Sequence, residues 1–106
     1  MTEFSLQQKR AAYIQALEIA LAQIIAQLSQ MPEVERAILF GSYAAGRRDL
    51  FTDLDLLIVM DTEKDLLQRT SELYEKVHTG VDVDFLVYTP EEISRSQENS
   101  LIRHAY

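Results

Sequence analysis

Aspartates interrupt two apolar, strand-like runs of this chain in the same way, and few folds tolerate that. Leu54–Met60 reads LDLLIVM with Asp53 just ahead of it, and residues 81–88 read VDVDFLVY. Both runs have the length and the β-branched content of strands. Side chains alternate along a strand. Asp53, Asp55, Leu57 and Val59 therefore share one face of the first strand, and Asp82, Asp84, Leu86 and Tyr88 share one face of the second. If the strands are parallel neighbours, their acidic ends lie side by side. Two unit charges about 4 Å apart repel by roughly 4 kcal/mol at an effective dielectric near 20, so such a cluster needs protons or cations to relieve it. Neither strand holds a lysine, and the nearest arginines are Arg47 and Arg48. A divalent cation is the simplest relief. Solvated acids that fray exposed strand ends are the plain alternative.

The rest of the chain supplies helices to cover such a sheet. One helix is expected over residues 4–29, where Tyr13, Leu17, Leu21, Ile24 and Leu28 recur every three or four positions before Pro32. A short strand is expected at 36–40. Gly41-Ser42 follows, with a helical turn at 43–46 and a loop at 47–52. After the strand at 54–60, Thr62 reads as the cap of a helix that runs to about 77. A third strand is expected at 81–88, and Thr89-Pro90-Glu91-Glu92 opens another helix, with proline at its first position. The tail from 94 to 106 is expected to be helical or partly ordered. The 13-residue connection from Gly41 to Asp53 leaves little room for a crossover helix, so the first two strands should be antiparallel. The second and third, joined by a helix, should be parallel with a right-handed crossover. The expected fold class is α+β, a small mixed sheet of three or more strands in one domain spanning 1–106.

Charge and cysteine content narrow the chemistry. A formal net charge of −7 disfavours direct nucleic-acid binding, which needs cationic surface to displace counterions. With no cysteine and two distant histidines, His78 and His104, any metal must be held by carboxylates, which suits hard ions such as Mg²⁺ or Mn²⁺. The start shows no secretory pattern, and the run at 54–60 is too short to cross a bilayer. A cytoplasmic protein without membrane contact is expected. Tyr43, Tyr74, Tyr88 and Tyr106 read as packing residues, the histidines as surface residues, and the acids of 63–77 as a solvated face.

Gly41-Ser42 sits where the first strand ends and an antiparallel second strand begins, beside the acids. Glycine admits close backbone approach, and a helical turn at Ser42 would aim N–H groups and a hydroxyl at an anion. Together, Gly41-Ser42, ten intervening residues and Asp53-Leu54-Asp55 form G-S-x10-D-x-D. With the apolar strand and the later acid in VDVDFLVYTPEE, residues 34–106 resemble the DNA polymerase β-like nucleotidyltransferases, in their minimal nucleotidyltransferase branch.

The resemblance implies a polymerase β-like nucleotidyltransferase fold and a two-metal transfer of AMP from ATP to a hydroxyl, with pyrophosphate leaving. Asp53, Asp55 and Asp84 would be catalytic and hold two Mg²⁺ ions, with Mn²⁺ as a substitute. Gly41, Ser42, Arg47 and Arg48 would bind the nucleotide phosphates. Asp82 competes with Asp84 as the third acid; Asp84 is preferred because it directly precedes the apolar strand end. Family members often carry arginine where this chain has Ala45. The minimal branch is often the antitoxin of a HEPN-domain toxin and adenylylates a tyrosine on it. A hetero-oligomer with such a toxin is thus implied, since no acceptor-gripping lobe is apparent. The alternatives are an antitoxin that neutralises by binding alone, and a receiver-like domain phosphorylated at Asp61. The receiver reading fits poorly, because strand one ends in Gly-Ser and the last strand is followed by Thr-Pro.

Overall fold

Ser5 caps the first helix. Its hydroxyl accepts from the Gln8 N–H, and the Gln8 side chain accepts from the Ser5 N–H in return. The computed structural model describes residues 5–95, and in it helix α1 runs Leu6–Leu28. The expected tail beyond residue 95, with Tyr106 and His104, lies outside the described residues. Strand β1 (Val34–Phe40) leads into a single helical turn, α2 (Gly41–Ala44). Strand β2 (Leu54–Met60), helix α3 (Leu66–Lys76), strand β3 (Val83–Tyr88) and helix α4 (Pro90–Arg95) follow.

The sheet has the order β1-β2-β3, with β1 antiparallel and β3 parallel to β2. This is the arrangement that the connection lengths imply. Alternation sorts the strand residues onto two faces. Leu54, Leu56, Ile58 and Met60 join Val83, Phe85 and Val87 in the main core, against Leu17, Ala20, Ile24 and Leu28 of α1 and Leu73 of α3. On the opposite face Leu57 and Val59 pack with Ile93 of α4, flanked by Ile38, Phe40 and Tyr88. The cover provided by α4 stops at those apolar positions, which leaves the acid end of the same face open.

Several boundaries differ from expectation, among them the helical turn, which forms at Gly41–Ala44 and not at 43–46. Helix α3 begins at Leu66 under Asp65, not under Thr62. The Asp65 carboxylate accepts from the Gln68 N–H, and the Gln68 side chain accepts from the Asp65 N–H. The Thr62 hydroxyl instead accepts from the Lys64 N–H, which closes a turn. Strand β3 starts at Val83, so Asp82 precedes it, whereas β2 starts at Leu54 as expected, with Asp53 just ahead of it. Strand β1 is longer than expected and starts at Val34.

Helix α3 also protects the sheet edge. The Tyr74 hydroxyl accepts from the outward-facing Phe85 N–H at 2.9 Å, and Arg69 Nε donates to the Val87 carbonyl at 3.2 Å. Side chains thus occupy backbone groups of an edge strand that would otherwise invite another strand. By length and composition α1 could cross a membrane, as the run at 54–60 could not. Its stripe of Leu17, Ala20, Ile24 and Leu28 is packed on the sheet, while Ile19 and Ile25 on its outer side are about half exposed (51% and 53%).

Candidate active site

The parallel register of β2 and β3 sets Asp55 directly beside Asp84. The antiparallel register of β1 and β2 sets Phe40, the residue before Gly41, across from Asp55. Strand pairing alone therefore gathers the glycine turn and two of the three expected acids at one end of the sheet. Asp55 is half-buried, whereas Asp53, Asp82 and Asp84 are exposed.

Electrostatics at Asp55 follow from this crowding. Burial, the Asp84 and Asp53 charges and a side-chain hydrogen bond with Asp84 all push the Asp55 carboxyl above its usual range. Like charges held this close favour whatever neutralises them, a proton or a cation. All the donors are carboxylate oxygens, a set that fits Mg²⁺ or Mn²⁺. Among the described residues no three metal-ligating side chains are already closed into a cage. Asp55 and Asp84 form the pair, and Asp53 is close enough to act on Asp55 through its charge.

Gly41 is the backbone's accommodation to Asp55. Its φ of +79° lies in the left-handed region, where a side chain is strained. A Cβ there would sit 3.1 Å from Asp55 Cγ and would overlap its Oδ2. The glycine thus allows the chain to turn against the carboxylate. Next to it, the Ser42 hydroxyl accepts from the Asp53 N–H at 2.9 Å and lies 3.4 Å from the Asp53 carbonyl. In this structure Ser42 ties the start of α2 to the approach of β2.

Arg47 and Arg48 lie on the following loop. Arg47 pairs with Asp49 at 2.8 Å and lies over the Phe51 ring. The Arg48 guanidinium stacks 3.6 Å above the Tyr43 ring and donates to the Tyr43 and Arg47 carbonyls. Both arginines therefore brace the loop that joins α2 to β2. Ala45, at the C-terminal cap of α2, is exposed.

A polar cleft of about 680 Å³ runs past the acids, with Asp53, Asp82 and Asp84 facing Tyr74, His78 and Thr79. A second hollow of about 430 Å³ adds Tyr13 and Ala16 of α1 next to Asp53 and Asp82. Burial, with the charges of Asp53 and Asp82, raises the Tyr13 phenol above its ordinary range. Tyr13 enters the sequence pattern only as one member of an apolar stripe. The signal for more was its hydroxyl, because a tyrosine among aliphatic residues brings a polar group that needs a partner when partly buried.

Residues 21–104 match the family described as the nucleotidyltransferase domain. The chain belongs to that family. Members of the nucleotidyltransferase domain family generally use a nucleotide donor and divalent metals, and the carboxylate end of the sheet has the donor chemistry for both. The fold is similar to a crystal structure from Sulfolobus solfataricus described as a "putative nucleotidyltransferase". It is 24% identical, aligns over 90% of this chain and 84% of that one, and has a TM-score of 0.59. At that identity the likeness speaks for the fold. No curated protein matches the chain.

Proposed function

We propose that this nucleotidyltransferase domain transfers AMP from ATP to a hydroxyl, a tyrosine for preference, on a partner protein of the HEPN toxin class, and so acts as its antitoxin in the cytoplasm. The observation that carries the transfer chemistry is the pairing of Asp55 with Asp84 on adjacent parallel strands, beside the Gly41-Ser42 turn. Asp53, Asp55 and Asp84 would hold divalent metal, Mg²⁺ or Mn²⁺. Bound metal supplies charge neutralisation and Lewis acidity at the phosphates. The Gly41-Ser42 turn would border the nucleotide phosphates. The acceptor oxygen attacks the α-phosphorus, the bond to pyrophosphate breaks, and the hydroxyl proton passes to a carboxylate, which we assign to Asp84.

A protein acceptor suits the surface around the cleft. Phe51 is 76% exposed and Leu50 is 43% exposed, on the loop between the glycine turn and the acids. A protein partner docked at the site would cover these two side chains. Ala45 and the engaged guanidinium of Arg48 favour a second reading, an antitoxin that binds its toxin without modifying it.

Intact-mass spectrometry of the protein encoded beside this chain separates the two. That partner would be purified alone and incubated with this protein, ATP and Mg²⁺. A gain of one or more AMP units with wild type, and none with Asp55→Asn, is expected for transfer. No gain, with a stable complex still forming, would favour binding alone.

A further inference from the structure

One peptide group in the site is held at both poles by side chains. The Thr52 carbonyl accepts from the Tyr13 hydroxyl at 2.7 Å, and the Asp53 N–H of the same peptide plane donates to the Ser42 hydroxyl at 2.9 Å. This plane lies one residue before β2, so it has no place in the β ladder. Two side chains, one from α1 and one from α2, provide the fixation that neighbouring strands provide elsewhere. The plane sets the backbone direction into Asp53. Tyr13 also borders the hollow that contains Asp53 and Asp82. Its partner is 39 positions away, so the bond is a tertiary clasp and not a local turn.

We propose that Tyr13 is a positioning residue for the transfer site: through the Thr52–Asp53 peptide it orients the Asp53 carboxylate towards the metal. The inference rests on the transferase reading above. Helix α1, most of which precedes the family match at residue 21, thereby belongs to the catalytic apparatus as well as to the core. Groups that orient metal ligands without touching the metal commonly change its affinity by about 10- to 100-fold when lost.

The test removes a single oxygen. Mn²⁺ affinity is measured by water-proton relaxation for wild type, Tyr13→Phe, Asp55→Asn and Arg10→Ala, with thermal melting of each in EDTA. Arg10 is the comparison because it ties α1 to the same loop at its other end, through Nε to the Arg48 carbonyl. Expected is a loss of about 10-fold or more for Tyr13→Phe, with a melting temperature close to that of Arg10→Ala and near-wild-type affinity in Arg10→Ala. Wild-type affinity in Tyr13→Phe overturns the inference. An equal loss in Arg10→Ala overturns it too, since any loosening of the loop would then suffice. A Tyr13→Phe chain that no longer unfolds cooperatively overturns it as well, because the phenol then serves the fold. If wild type binds Mn²⁺ no better than Asp55→Asn, the transferase reading itself fails and takes the inference with it.

Discussion

Asp55 is the residue at which fold and function pull apart. Its carboxyl titrates above the usual range because it is half-buried and faces Asp84 and Asp53. A raised carboxyl means the folded chain binds a proton that the unfolded chain has released. Stability from this group is therefore greatest below the unfolded-state value, falls as pH rises through the folded-state value, and is at its lowest near neutrality. Asp55→Asn keeps the shape and removes the charge, so in EDTA at pH 7 it should melt at a higher temperature than wild type. Added Mn²⁺ should reverse the order, because only wild type gains a bound ion. Differential scanning fluorimetry with and without Mn²⁺ checks both halves, and an Asp55→Asn chain that melts lower in EDTA would count against the like-charge account. The juxtaposition of Asp55 and Asp84 was readable beforehand, because period-two alternation and a parallel crossover are both written in local pattern. The clasp on the Thr52–Asp53 peptide was not. Ser42 and Tyr13 are 11 and 39 positions from their partners, and no periodicity encodes the path of the loop that brings them together.

Among the elements, strands were easier to read than helix starts. LDLLIVM has one rendering in a small domain, and it is β2 from end to end. The start of α3 was placed too early, under Thr62; the reciprocal bonds of Asp65 and Gln68 put it under Asp65. What α3 does afterwards also depends on tertiary contact. Arg69 is 4% exposed, and its guanidinium reaches Glu92 of α4 at 2.5 Å as well as the Val87 and Lys64 carbonyls. Burial alone would raise the Glu92 carboxyl, but the Thr89 N–H and Arg69 outweigh it and hold the carboxyl below its usual range. A lowered carboxyl stabilises the fold above its unfolded-state value, and the contribution is lost as pH falls through the folded-state value. Glu92→Gln should therefore cost about 1.5–3 kcal/mol near pH 7, the range for hydrogen bonds to charged groups. The two chains should converge in stability in acid. Urea denaturation at pH 7 and pH 3 measures the difference at each end.

At the scale of the whole molecule, α1 decides how much chain the domain needs. The family match opens at residue 21, in the last third of this helix, yet Leu17 and Ala20 ahead of that point are buried in the main core with Ile24 and Leu28. From the same helix, Gln27 exchanges two hydrogen bonds with the His78 backbone, while Arg10 and Tyr13 hold the loop before β2. One element thus packs against the sheet and ties down both loops that flank the acids. Burying each large aliphatic side chain is worth about 1.5–3 kcal/mol. The three leucine and isoleucine anchors together are then worth roughly 5–9 kcal/mol, against a total stability of about 5–15 kcal/mol for a domain of this kind. A chain lacking residues 1–29 should therefore show no cooperative thermal transition by circular dichroism, and no Mn²⁺ binding. If such a chain folded and bound Mn²⁺ like wild type, α1 would be an accessory arm, and the orientation of Asp53 would have to come from Ser42 and the sheet alone.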